Sequence, residues 1–300
     1  MTYDIVIIGA GIAGLTAAIY GKRAGKTVLV LEGNSYGGQI VTTPSIENYP
    51  ATMGISGFDF ATKIYNQTLS FGTEIKFESA MEIVDGKIKM VKTNKTEYQT
   101  KSIIIATGSK NRLLGLKNEL NYIGKGVSYC ATCDGTFYKN KVVAVVGGGN
   151  TALEDAIYLA DLAQKVYLIH RRDEFKAEVA LVDQIKAKKN IEIIYNAQVA
   201  EIIGNDKLTG INLNVNGTSQ QVVLDGLFIA VGRVPENIKF ANVVQLDNFG
   251  YVVAGENCET STKGIFTAGD CRTKEIRQLV TAAGDGAVAA NHAIQYVNAL

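Results

Sequence analysis

The sequence predicts an α/β protein of two Rossmann-like, three-layer ββα nucleotide-binding domains, the second inserted in the first. Three observations carry this. A strand–glycine loop–helix–strand unit fills residues 4–32. The same plan recurs from Lys141 as an internal repeat. The stretch beyond about residue 245 starts no third unit; it adds one strand and one long helix-like segment, which fits a return to the first domain. The domains are accordingly placed at 1–112 with 245–300, and at 113–244, the chain crossing near 109–116 and again near 233–246.

In the first unit, Asp4-Ile5-Val6-Ile7-Ile8 is the continuous apolar run of a parallel strand covered on both faces. Gly9-Ala10-Gly11-Ile12-Ala13-Gly14 follows, then 15–20 with helical apolar spacing, then a second strand, 27–31, ending at Glu32. Gly9 permits the tight turn, Gly11 lets backbone approach a pyrophosphate, and Gly14 lets helix and strand pack closely. The pyrophosphate would rest on the helix N-terminus, where amides and dipole favour an anion. Glu32 stands where ribose hydroxyls need an acceptor, and its charge opposes a phosphorylated ribose. Gly37-Gly38-Gln39 and Ile46-Glu47-Asn48-Tyr49-Pro50 read as turns, or in a flavin enzyme as cofactor contacts. An amphipathic helix over 57–69, short strands between 74 and 98, and a buried strand over 102–108 complete this part.

Between the two units lies Ser128-Tyr129-Cys130-Ala131-Thr132-Cys133-Asp134-Gly135. A Cys-x-x-Cys pair serves as a metal clip, a redox dithiol or a structural disulfide. Zinc needs two further ligands at suitable spacing, but Cys258 and Cys271 are distant and unpaired in sequence, as are His170 and His292. The pair also sits just before a second nucleotide motif, which suits electron transfer. It is read as a redox dithiol, with Asp134 placed to give or take the proton that thiol chemistry needs.

The repeat runs through strand 142–146, the loop Gly147-Gly148-Gly149-Asn150-Thr151-Ala152, helix 153–163 and strand 166–169. Where the first unit has Glu32, this one has His170-Arg171-Arg172, with Lys176 shortly after. A cationic cluster at the ribose edge favours a 2′-phosphate. Strands over 191–224 and the run ending at Gly232 mirror 74–98 and the run ending at Gly108. Gly264-Ile265-Phe266-Thr267-Ala268-Gly269-Asp270 is a further strand, and 276–297 a long helix in which Gly284 and Gly286 predict a close neighbour or a break.

Composition narrows the partners. A formal charge of +1 leaves no basic field for nucleic acid. The apolar run at 5–8 is far too short for a signal or membrane segment, and four cysteines in 300 residues make no secreted disulfide framework. A soluble, cytoplasmic protein is expected.

With these residues in place, the whole chain resembles the low-molecular-weight thioredoxin reductases. The resemblance rests on GAGIAG (9–14), GGQ (37–39), ENYP (47–50), ATG (106–108), CATCD (130–134), GGGNTA (147–152), HRR (170–172), VGRVP (231–235), GIFTAGD (264–270) and RQ (277–278). It implies a homodimeric flavoprotein carrying electrons from NADPH through FAD and a Cys130–Cys133 disulfide to thioredoxin. FAD contacts would fall on Gly9, Gly11, Gly14, Glu32, Gln39, Asn48, Asp270, Arg277 and Gln278. NADPH contacts would fall on Gly149, Asn150, Thr151, His170, Arg171, Arg172, Lys176 and Arg233. Cys133 would face the flavin, Cys130 would attack the substrate disulfide, and Asp134 would be the acid/base.

The resemblance departs at Lys176, where the family's basic motif usually ends in arginine. Lysine keeps the charge but loses the planar fork that grips phosphate. Ferredoxin-dependent flavin reductases and dithiol oxidases share this architecture and are the rival readings, as is a flavin-binding redox sensor; intact GGGNTA and HRR speak against the first two, CATCD against the third. The dithiol and the nicotinamide loop share one domain while the flavin loop lies in the other, which predicts rotation about the crossings, with Gly108, Gly115 and Gly232 as hinges.

Overall fold

A computed structural model describes all of residues 1–300. The chain divides into two compact units, Met1–Lys110 with Val234–Leu300, and Asn111–Arg233. The outward crossing falls close to the expected 112/113. The return comes at 233/234, ahead of the expected 244/245, because Phe240, Val243 and Val244 are buried in one cluster with Tyr3, Val6 and Leu29 of the first unit. The stretch lacks a helical or alternating pattern, so nothing in its spacing assigned it to that core.

The first unit opens with β1 (Thr2–Ile8), α1 (Ile12–Arg23), β2 (Val28–Glu32), α2 (Gly57–Ser70), β3 (Glu74–Phe77), β4 (Ala80–Val84), β5 (Lys89–Thr93) and β6 (Glu97–Ile105). Parallel β2 and β6 flank β1, and both of its faces are covered. Ile5 and Ile7 pack in one cluster with Leu15 and Ala289, and Val6 in another with Phe240 and Val243, so all three are wholly buried. The sheet runs β3-β2-β1-β6-β5-β4.

The outward crossing contains β7 (Ser109–Asn111). The second unit then has β8 (Val127–Ser128), α3 (Ala131–Asp134), β9 (Val142–Gly147), α4 (Asn150–Ala160), β10 (Lys165–Ile169), α5 (Val179–Ala187) and β11 (Ile191–Ile194). An antiparallel meander, β12 (Ala197–Gly204), β13 (Leu208–Val215) and β14 (Thr218–Val223), leads to β15 (Gly226–Ala230). The parallel sheet β11-β10-β9-β15-β8 is sandwiched. Val146, Ile169 and Leu227 meet Ile202, Ile211 and Leu213 of the meander on one face. Val143, Val145 and Phe228 meet Leu153, Leu159 and Ile185 of the helices on the other. These are the three ββα layers expected.

The return crossing, β16 (Arg233–Pro235), pairs with β7. Lys110 and Glu236 form an ion pair at 2.7 Å at one end, and the Arg112 amide donates to the Gly232 carbonyl at 3.0 Å at the other. Back in the first unit, β17 (Ile265–Thr267) joins β6, and α6 (Leu279–Asn298) packs beside α1. The helix is unbroken. Of the two outcomes expected at its glycines, the close neighbour holds at Gly286, where a Cβ would stand 2.2 Å from the Ala13 carbonyl oxygen; at Gly284 there is open space. No helix is long and apolar enough to cross a membrane.

Candidate active site

Cys130 caps the N-terminus of the one-turn helix α3 and is disulfide-bonded to Cys133. That helix is seated by burial: Ala131 is 1% exposed and lies in the cluster of Ala152, Leu153 and Leu159. Ser128, buried at the end of β8, does two things. Its hydroxyl donates to Asp134 Oδ2 at 2.6 Å, and its oxygen accepts the Cys130 amide at 3.1 Å. The other carboxylate oxygen, Oδ1, is buried without a partner. Burial pushes the Asp134 carboxyl above the usual carboxylate range, and the Ser128 hydrogen bond only partly offsets it. Nearby Tyr138 is pushed up to about 12, by burial first and then by the Asp134 charge. A carboxyl that is costly to ionise, beside a disulfide, can hold a proton and release it.

Ser128 lies in the same short stretch as the Cys-x-x-Cys pair, but nothing in its spacing marks it as the partner of Asp134. A second acid also emerges. Burial pushes Asp155 on α4 up to about 7, with Glu154 adding and Arg233 opposing. Asp155 follows Thr151 by one helical turn, which was the available signal.

The glycine loops are built as expected. Gly9 has φ +113° and a Cβ there would stand 2.3 Å from the Ala106 carbonyl oxygen; one on Gly14 would stand 1.9 Å from that of Gly9. Gly11, the N-cap of α1, faces open space, and α1 has neither a side-chain cap nor an acid in its first turn. Both Glu32 oxygens are held by backbone, Oε2 by the Ala10 amide at 2.8 Å and Oε1 by the Asn34 amide at 2.9 Å. Asn48 Nδ2 donates to Gln278 Oε1 at 3.2 Å, uniting two predicted flavin contacts far apart in sequence. Arg277 stacks over Tyr251 at 4.2 Å and keeps a buried, unpartnered Nε, while Gln39 is exposed on the turn after Gly38. Asp270 follows Gly269, whose φ of +81° makes the turn after β17. Uncapped helical amides and an orphaned buried donor are what an anionic dinucleotide satisfies, so these residues fit a flavin dinucleotide.

In the second unit Gly149 is the N-cap of α4, again without side-chain cap or first-turn acid. The basic loop is tied to it: the Lys176 amide donates to the Gly148 carbonyl at 2.7 Å, and Asn150 and Glu178 bond reciprocally at 2.9 Å. His170 has a different setting from its motif neighbours. Its ring is buried in the space a side chain at Gly148 would need, and Nε2 lies 2.9 Å from the Glu174 carbonyl. Arg171, Arg172, Lys176 and Thr151 remain exposed, and Arg233 is half-buried. The loop therefore offers amides, two arginines and a lysine, a donor set that fits a phosphorylated nicotinamide nucleotide. Cys258 and Cys271 are buried and free, and burial followed by the Asp285 charge pushes Cys258 up to about 12.

Two dinucleotide loops and an acid-backed disulfide on one chain define a nucleotide-dependent disulfide oxidoreductase. Residues 3–286 match the pyridine nucleotide-disulphide oxidoreductase family. The thioredoxin reductase of Listeria monocytogenes is 44% identical over 99% of this chain and 95% of its own length, and that of Bacillus subtilis 39% identical over 99% and 96%. Among solved structures, thioredoxin reductase from Streptococcus pyogenes superposes with a TM-score of 0.96 at 39% identity, covering 100% of this chain and 99% of the other. That from Lactococcus lactis, in its FR conformation, gives 0.69 at 38% identity with both chains fully covered. The chain belongs to the thioredoxin reductase family of pyridine nucleotide-disulphide oxidoreductases. It is an oxidoreductase whose family uses a flavin and a nicotinamide nucleotide.

Proposed function

We propose that this enzyme reduces the disulfide of thioredoxin with electrons from NADPH, passed through FAD and the Cys130–Cys133 pair. The observation that carries the reading is the disulfide backed by the Ser128–Asp134 hydrogen bond in the unit that also holds the GGGNTA loop. The bound flavin and nicotinamide supply the two electrons that open the disulfide. Thereafter the chain's own residues act. The Cys130 thiolate attacks one sulfur of the thioredoxin disulfide, and the departing thiolate takes a proton. Cys133 then attacks Cys130 in the mixed disulfide, releasing the second thioredoxin thiol and restoring Cys130–Cys133. Asp134 holds the proton exchanged in these steps.

Arg171, Arg172 and Lys176 take the 2′-phosphate, with Arg233 as a further contact; His170 shapes the loop from inside. Gly9, Gly11, Gly14, Glu32, Gln39, Asn48, Asp270, Arg277 and Gln278 take FAD. The units rotate between half-reactions, a reading supported by two solved relatives of near-equal identity that superpose so differently. Gly108 and Gly232 have φ of +67° and +103° with open space beside them, which suits hinges; Gly115, at φ +82°, has the same freedom but its amide is tied to Glu119. Cross-linking the units should leave one half-reaction and abolish turnover. The enzyme works as a homodimer in the cytoplasm, where its two free cysteines stay reduced.

Anaerobic mixing with NADPH and NADH side by side tests the donor. Flavin absorbance should bleach faster with NADPH and recover on adding oxidised thioredoxin. A flavin that neither nucleotide bleaches would overturn the reading.

A further inference from the structure

Glu119 opens a short turn, Glu119–Tyr122, and is 2% exposed. The four groups that donate to its carboxylate are all neutral. Oε1 accepts from the Leu114 amide at 3.0 Å and the Tyr129 hydroxyl at 2.6 Å; Oε2 accepts from the Gly115 and Leu116 amides at 2.9 and 3.2 Å. A carboxylate out of water is tolerated only where such donors replace hydration, so the three amides and the phenol form one interdependent set. Burial, followed by the Glu119 hydrogen bond, pushes the Tyr129 hydroxyl far above its ordinary range and keeps it a donor.

The two ends of this set are not equivalent. Residues 114–116 belong to the irregular segment by which the chain enters the second unit, and Tyr129 directly precedes Cys130. From the same side of the chain, Cys130 is also held through its own amide by Ser128, which is committed to Asp134. The backbone entering Cys130 is thus anchored twice, at the Tyr129 side chain and at the Cys130 amide. Gly115, expected as a hinge, donates its amide to this set; the swing is therefore left to Gly108 and Gly232.

We propose that Glu119 is a positioning residue for the dithiol step, acting through Tyr129 to lock Cys130 to the segment 114–116 by which the chain enters the second unit. This rests on the reading of Cys130–Cys133 as the electron-carrying pair. Ring closure by Cys133 on a mixed disulfide at Cys130 needs the two sulfurs aligned, and a loosened Cys130 lowers their effective concentration.

The test is the reduction potential of Cys130–Cys133 in the full chain, equilibrated in dithiothreitol buffers and read by maleimide mass-tagging. Tyr129→Phe removes one hydroxyl and leaves the amides on Glu119. It should weaken the disulfide about tenfold, raising the potential by about 30 mV, with Tm within a few degrees of wild type. Glu119→Gln should give the same shift with a lower Tm, and the double variant no further shift. In turnover with thioredoxin, Tyr129→Phe should lower kcat about tenfold and leave KM within about twofold. A wild-type potential in Tyr129→Phe, or shifts that add in the double variant, would overturn the proposal. Because the potential needs no nucleotide, it decides the matter even if NADPH fails to bleach the flavin, an outcome that would count against the functional reading instead.

Discussion

The Ser128 hydroxyl donates to Asp134 Oδ2 at 2.6 Å across the one-turn disulfide helix, leaving Oδ1 buried and unpartnered. Half-satisfied, with burial the larger influence, this carboxyl holds its proton more tightly in the folded protein than an ordinary carboxylate does. Its folded pKa lies above the unfolded value, so the native state binds the extra proton and stability falls as pH rises through that window. Asp134→Asn removes the penalty. Its Tm should exceed wild type by a few degrees at pH 8, corresponding to about 1 kcal/mol, and the gain should vanish at low pH. Turnover should fall about 100-fold, the scale of a lost acid/base. Calorimetry at several pH values beside steady-state assays checks both signs.

Ser128→Ala takes away the one group that holds the Asp134 pKa down. The limb of the kcat profile governed by Asp134 should move to higher pH, while flavin content stays at the wild-type level. An unmoved limb would mean that Asp134 does not control it.

A second buried acid behaves oppositely. Asp285 on α6 accepts from Arg272 Nε and Nη2 at 2.8 Å, from Lys274 Nζ at 2.9 Å and from the Gly269 amide at 2.9 Å. Burial alone would raise its pKa, but the two cations together hold it below the ordinary range. That stability is present above the unfolded pKa of about 3.9 and is lost as pH falls through the folded value. Asp285→Asn leaves two buried cations without their counter-charge and should cost about 3–5 kcal/mol near neutral pH. The gap to wild type should shrink in acid, as urea titrations at pH 7 and pH 3 would report.

How far the sequence spoke depended on whether a signal was local. Ile5 to Ile8, the glycine loops and the Arg171-Arg172 pair declare themselves within a few residues, and both βαβ units stand where their periodicity puts them. Glu119 gave no such notice. Its meaning comes from amides at 114–116 and a hydroxyl at 129 that only the folded turn gathers. Asp285 and Arg272 likewise meet because β17 and α6 pack, and no spacing rule joins them. His170 reads as part of a phosphate cluster, yet the missing side chain of Gly148 lets its ring turn inward. The return crossing lies earlier than the sequence pattern predicts because the short turn at 238–240 carries no periodicity while its Phe240 is fully buried.

The two glycines of α6 make a matched pair. Gly284 is exposed with open space around its Cα, so Gly284→Ala should stabilise by about 0.5–1 kcal/mol through helix propensity. Gly286→Ala makes the same chemical change but drives a methyl against the Ala13 carbonyl, forcing α6 away from α1. It should destabilise by about 1–3 kcal/mol or more. Thermal melts of the two variants with opposite signs would establish the close approach; equal shifts would refute it.

Lys176 sits on the loop whose amide is fixed to Gly148, so the position of its backbone is set while its exposed side chain is not. An ammonium there offers a point charge, whereas a guanidinium would present a fork to phosphate oxygens. Lys176→Arg should therefore lower KM for NADPH several-fold and leave KM for NADH unchanged, since only the former carries the extra phosphate. Arg171→Ala should act the other way, raising KM for NADPH by about 10-fold, the equivalent of one charge-assisted hydrogen bond. Because such contacts are exposed, the NADPH effect should weaken in high salt. Steady-state kinetics with both nucleotides, at low and high ionic strength, decides whether this basic loop reads the 2′-phosphate or merely faces solvent.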